Sequence, residues 1–440
     1  MRRAPLARAL ALALALALAG GVALAGCTGR PGVEPSAGPL GGVALTVYDP
    51  GALRTISVGV LMPPLEGEGS EYRDMAEGAA VAAFRFDQGG VSVRLVAALD
   101  NGTPEGAATG LNSLLHNPEV AGVVVASSGP HLAPALAAVP ASGTAVVMPY
   151  DRGGETIEGV WRTGPSEGAV EARLADALAR KGVAHPVVVT PAGQPLDTLP
   201  AALPLTWSSA PAGADPALAS CANPATPIDC LADRASQALA AGRADSVVAV
   251  GAAGDQAQLV TALRSALGQA QVPVFLSPEA LTPTFGRGLT TSGAVNGDYI
   301  TVGPNTDDPA SQAGADGQSA RLFFEALRLA AGSPKAFNVF GDQPFASAAQ
   351  TADIASHDAV VALVRAAEQA GTTDAAAVRE VLGGLGLDSH RGLAGPALDF
   401  RQPNALAAAS VVVLQATTAN PGQRPPAGAG QARPVFWFAV

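Results

Sequence analysis

Ser127-Ser128-Gly129-Pro130 follows the apolar run Val120-Ala-Gly-Val-Val-Val125 and precedes a helical pattern. Proline suits the first position of a helix, and Ser128 or Gly129 suits its cap. Backbone N–H groups at such a start, with hydroxyls beside them, form a site for an anion such as a carboxylate; the alternative is a plain cap with no ligand. Gly164-Pro-Ser-Glu-Gly168 has the Gly-x-Ser-x-Gly spacing of a hydrolase nucleophile elbow. Pro165 beside the serine marks a helix start, however, and no Asp-then-His partners can be identified, so Ser166 reads as a helix cap. No glycine-rich loop ending in Gly-Lys-Ser/Thr occurs, nor a metal-type histidine pair. The chain is therefore expected to bind rather than catalyse, with neither cofactor nor metal. Cys221 and Cys230 have eight residues between them. In an oxidising compartment they read as a local disulfide; a metal site is the alternative, but no histidine lies near them.

The N-terminus says which compartment applies. Arg2, Arg3 and Arg8 precede a short Ala/Leu run that ends at Gly20-Gly21 and Leu24-Ala25-Gly26-Cys27. A basic start, an apolar stretch and a small-residue exit make a secretory signal peptide, and the run is short for a membrane span. Leu-Ala-Gly-Cys resembles the bacterial lipobox, which implies lipidation of Cys27. A diacylglyceryl group supplies two chains and thus a stable anchor. The alternative is ordinary cleavage after Ala25, leaving Cys27 free. The mature protein is expected outside the cytoplasm, held on the outer face of the cell membrane.

The chain has 440 residues, enough for two domains, with 48% hydrophobic and 14% charged residues. Its net charge of −11 becomes −14 once Arg2, Arg3 and Arg8 are removed. An acidic surface argues against nucleic acid as a partner. Residues 27–54 are rich in Gly, Pro, Ser and Val without sustained periodicity, and read as a tether. Strands are predicted at 56–62, 91–96, 120–125 and 144–148, with helices at 70–88, 104–116 and 132–139 between them. The alternation repeats with helices at 166–180, 231–241 and 256–267 and strands at 186–190, 246–250 and 272–276. Long helices follow at 319–331 and 347–370, with a shorter one at 374–382. Strand-like segments at 410–414 and 435–438 flank 421–434, a Gly/Pro-rich stretch expected to be an exposed loop. The pattern is α/β, with parallel sheets in two Rossmann-like lobes.

The order of several short motifs resembles the type I periplasmic binding proteins, in the branched-chain amino acid receptor group. These are Tyr72-Arg-Asp-Met-Ala-Glu-Gly-Ala79, Gly89-Gly90, Asp100 and Val123-Val-Val-Ala-Ser-Ser128, then Trp161-Arg-Thr-Gly-Pro-Ser166, Ser277-Pro-Glu279, His357-Asp-Ala-Val360 and Gly395-Pro-Ala-Leu-Asp-Phe400. The resemblance implies two lobes joined by a three-crossing hinge. Lobe 1 would take 55–165 plus 304–392, and lobe 2 would take 166–303 plus 393–440. It further implies an extracytoplasmic substrate-binding protein of an ABC importer, with a permease as partner and an amino acid or similar small polar solute as ligand.

The resemblance also distributes roles. Ser127 and Ser128 would hold a ligand carboxylate, Glu279 its ammonium, and Tyr72 would lie against its side chain. Each has a plainer alternative: Glu279 as a solvated acid at a helix start, Tyr72 as a packing residue. Tyr150-Asp151-Arg152 departs from the small segment usual there, implying a ligand with an extra polar or charged group contacted by Tyr150 and Asp151. Alternatively, Asp151 and Arg152 pair with each other. These departures motivate a second reading, a degenerate binding-protein fold that serves as a sensor or an envelope interaction module.

Overall fold

A computed structural model describes residues 42–47, 53–67, 69–189, 228–268, 272–426 and 435–440. The signal peptide, Cys27 and Cys221 lie outside them. The first sheet contains β1 (Thr55–Met62), β2 (Ser92–Leu99), β3 (Val120–Val125), β4 (Val146–Met148) and β5 (Val160–Arg162) in the order β2-β1-β3-β4-β5. All its pairings are parallel. β3 is buried along its whole length, as a strand covered on both faces by helices requires.

Between these strands run α1 (Gly78–Gln88), α2 (Pro104–Leu115), α3 (Ala133–Leu136) and α4 (Val139–Ser142). The second sheet takes β6 (Pro186–Val189), β7 (Ser246–Ala249), β8 (Val274–Leu276) and β9 (Tyr299–Gly303), all parallel neighbours. Its helices are α5 (Glu167–Arg180), α6 (Ile228–Ala240), α7 (Ala253–Leu267) and α8 (Pro283–Ser292). The chain then returns to the first core with α9 (Gly314–Gly332), α10 (Ile354–Ala370), α11 (Ala375–Leu382) and the small ribbon β10 (Gly386–Leu387) and β11 (Leu398–Asp399). Finally β12 (Val412–Thr417) and β13 (Phe436–Ala439) extend the second sheet antiparallel, giving the order β13-β12-β9-β8-β7-β6. The chain thus passes between the sheets at 163–166, 304–309 and 407–411.

Several local expectations are corrected. The helix expected over 70–88 is two 3-10 turns, Ser70–Tyr72 and Met75–Glu77, followed by α1. The one expected over 132–139 is cut into α3 and α4, with prolines at 134 and 140 near their starts. α10 begins at 354 rather than 347, because Asp353 caps it by accepting from the Ser356 N–H. Residues 43–47, read as tether, are packed: Val43 and Leu45 are buried, and Leu45 N–H donates to the Arg85 carbonyl. The alternation Val43-x-Leu45-x-Val47 gives this extended stretch one apolar edge to bury. The described part of the tail loop, 421–426, also docks. Arg424 donates to the carbonyls of Ala349 and Ala352, and Gln350 donates to that of Pro425. A strand of the second sheet is thereby followed by a segment held on the turn that leads into α10 of the first core.

Candidate functional site

The carboxyl ends of β3, β4 and β8 converge between the two sheets, where ligands settle in α/β folds. Ser127 is fully buried just past β3, and its hydroxyl has no protein partner. Gly69 (φ 74°) lies over it so closely that an added Cβ would stand 2.6 Å from the Ser127 Oγ. Ser128 faces the cleft. Neither serine caps a helix: Gly129 (φ 135°) precedes a 3-10 turn, Pro130–Leu132, with no side-chain cap. The turn is anchored instead by His131, whose Nε2 lies 3.0 Å from Asp100 Oδ2. With only α3 behind it, this start lacks the long helix that the anion-site reading needs.

Tyr72 and Tyr150 stack with ring centroids 4.7 Å apart and planes at 15°. The Tyr150 hydroxyl donates to Asp353 Oδ1 at 3.1 Å. Burial pushes the Tyr72 hydroxyl up to about 12 and that of Tyr150 well above its usual range, so both remain neutral donors. Burial also lifts Asp353 to about 6, against the hydrogen bonds from Ser356 and Tyr150.

Arg152 and Glu279 form an ion pair from opposite sheets, since Arg152 follows β4 and Glu279 sits in the 3-10 turn Pro278–Leu281 after β8. The Glu279 carboxylate is fixed from behind: Ser277 Oγ donates to Oε2 at 2.5 Å, and Gln256 Nε2 donates to Ser277 Oγ at 2.8 Å. The group expected to receive a ligand ammonium therefore already holds a guanidinium. Asp151 does not pair with Arg152; it binds Arg162 on β5 at 2.6 Å. A second ion pair, Arg287–Asp74 at 3.1 Å, also joins the halves but is exposed.

Tyr72, Ser128, Arg152 and Glu279 line one cleft of about 570 Å³, whereas Asp151 lines the adjoining groove along 153–158, which meets that cleft at Ser128 and Arg152. Nearer the crossings, a chamber of about 120 Å³ is lined by Tyr150, Thr163, Thr282, Asn305, Thr306 and Asp353 among others. The sequence reading missed Thr163, Thr282, Asn305, Thr306 and Asp353, since isolated hydroxyls and amides in loops carry no spacing signal. Asp358 also lines the chamber; it accepts the N–H groups of Ala394 and Gly395 and stands 2.7 Å from His357 Nδ1. Arg85 Nη1 contacts the other ring nitrogen of His357 at 3.0 Å, and burial keeps the imidazole pKa below its ordinary value. Ser166, the serine of the elbow-like pattern, caps α5 by accepting from the Ala169 N–H.

Solved structures share this architecture at low identity. A type 1 periplasmic binding protein from Bordetella pertussis Tohama I is 16% identical, with 88% of this chain and 100% of that chain covered and a TM-score of 0.57. The branched-chain amino acid transporter substrate-binding protein LivJ from Streptococcus pneumoniae, solved with isoleucine, is 14% identical, with 88% and 100% covered and a TM-score of 0.59. A solute-binding protein from R. palustris, solved with 4-hydroxybenzoate, is 13% identical, with 84% and 94% covered and a TM-score of 0.57. At such identities these likenesses speak to fold alone. No protein with curated function gives a significant match. The model of the family described as periplasmic binding protein matches residues 55–421, and the chain accordingly belongs to that family of solute-binding proteins with two α/β lobes.

Proposed function

We propose that the protein is the extracytoplasmic, lipid-anchored substrate-binding component of an ABC importer, capturing a small polar solute of amino-acid size between its two sheets. The observation that carries this reading is the cleft where Tyr72, Ser128 and Arg152 from one side face Glu279 from the other. Cys27 bears the lipid, Cys221 and Cys230 form a disulfide, and a permease is the membrane partner. In this scheme the lobes read from the sequence, 55–165 plus 304–392 and 166–303 plus 393–440, close by hinge motion, with the last boundary moved to the crossing at 407–411 because Leu393, Leu398, Phe400 and Leu406 pack in the first core.

A second reading, a sensor or envelope interaction module with a degenerate site, is favoured by the Arg152–Glu279 pair, which fills the cleft with the protein's own charges. A thermal-shift panel of amino acids, amides and small acids separates the two. Under the first reading one solute raises the melting temperature with concentration as RT ln(1 + [L]/Kd). A silent panel, with a partner other than a permease recovered by membrane pull-down, supports the second.

A further inference from the structure

Tyr72, Arg152 and Pro278 line both the outer cleft and the inner chamber, so the tyrosine stack and the Arg152–Glu279 pair form the wall between them. On the inner side, the hydroxyls of Thr163, Thr282 and Thr306 and both polar atoms of Asn305 are buried without a protein partner. Thr282 is only 3% exposed and Thr163 only 8%. Buried polar atoms are almost always paired, and here five unpaired ones belong to four residues that line one space.

The charged groups of the chamber are already engaged. Asp353 receives Tyr150 and Ser356, Asp358 receives two backbone N–H groups, Asp307 receives the Trp437 N–H, Arg152 holds Glu279, and Arg424 donates to the carbonyls of Ala349 and Ala352. What remains on offer is neutral: three hydroxyls and one carboxamide with its donor and acceptor side by side. Beside the stacked Tyr72 and Tyr150, most of the remaining wall is proline and aliphatic, including Pro149, Pro304, Leu281 and Ile354. A space of about 120 Å³ is slightly smaller than the ~150 Å³ cavity that accepts benzene.

We propose that this inner chamber binds a small uncharged solute with an amide-like edge (a primary amide, lactam or ureide), seated on Asn305 with its body against the prolines. The proposal rests on the solute-binding reading and narrows it, placing the ligand behind Glu279 rather than on it. Calorimetric titration of the purified protein with isobutyramide, isobutyrate, isobutylammonium and leucine tests it, repeated on Asn305→Leu and Thr282→Val. Isobutyramide is expected to bind at least ~10-fold more tightly than its charged isosteres, and each variant to weaken it about 10-fold, since a buried partner is left unpaired. Equal or tighter binding of a charged isostere, indifference to both variants, or no binding of isobutyramide would each overturn the proposal. If leucine binds while isobutyramide does not, this inference fails and the solute-binding reading stands; if no solute of any class binds, both fall.

Discussion

Replacing Arg152 with alanine removes the half-buried charge contact between the two sheets. The Arg152 and Glu279 side chains are 24% and 15% exposed, between the surface and the interior. An exposed pair is worth ~0–1 kcal/mol, and removing one partner of a buried pair costs ~3–5 kcal/mol. We therefore expect Arg152→Ala to cost about 2 kcal/mol. At ~2.1 cal/mol/K of unfolding entropy per residue, a chain of this length loses about 2 °C in melting temperature. Glu279→Ala costs a similar amount, since it strands the guanidinium, but the double variant costs much less than the sum. A double-mutant cycle read by thermal unfolding gives the coupling, expected at ~1–2 kcal/mol. The cycle Arg287→Ala with Asp74→Ala, for side chains 58% and 46% exposed, should give less than ~1 kcal/mol and fade with salt. Additive effects of Arg152→Ala and Glu279→Ala, within ~0.3 kcal/mol, would refute the claim that these side chains meet.

Other outcomes follow from the same geometry. Burial lifts Glu77 to about 7, although the Val339 N–H donates to it at 2.8 Å. An acid whose folded pKa is raised contributes stability at low pH that is lost as pH climbs from about 4.5 through 7, here on the order of 3 kcal/mol. Glu77→Gln should therefore flatten the stability profile over that window, and an unchanged profile by thermal unfolding at pH 5 and pH 8 would remove the assignment. Asp353, lifted to about 6, adds a loss in the same direction at lower pH, which Asp353→Asn should abolish in the same measurement. Gly78→Ala places a Cβ 1.9 Å from the Asp353 carbonyl oxygen; overpacking against backbone should cost at least ~1–3 kcal/mol, visible as a lower melting temperature. Cys27→Ser should move the protein from the membrane fraction to the soluble one, as an immunoblot of fractionated cells would record.

Much of the architecture was legible because buried parallel strands are continuous apolar runs. Val120–Val125 carries that signal with no competing polar residue, and 247–249 carry it behind a single buried Ser246. β5 was not found, being three residues long with Trp161 half-buried, and β9 was overlooked behind a Gly- and Asn-rich approach. Of the candidate residues, the fold brings Tyr72, Ser128 and Glu279 to one cleft and stacks Tyr150 on Tyr72. It buries Ser127 and turns Asp151 to Arg162. That last outcome could not be read locally, because a charged residue in a loop pairs with whatever strand lies across from it. The Arg152–Glu279 contact joins residues far apart in sequence on opposite sheets, and the inner chamber exists only where three chain crossings meet.

The central claim is that the two sheets close over a small solute. Native mass spectrometry of the protein, purified without denaturation, tests it most directly. The account predicts one small mass bound stoichiometrically to the folded protein and released on unfolding. A protein that is empty as isolated, and whose melting temperature no solute of the panel then raises, would contradict it.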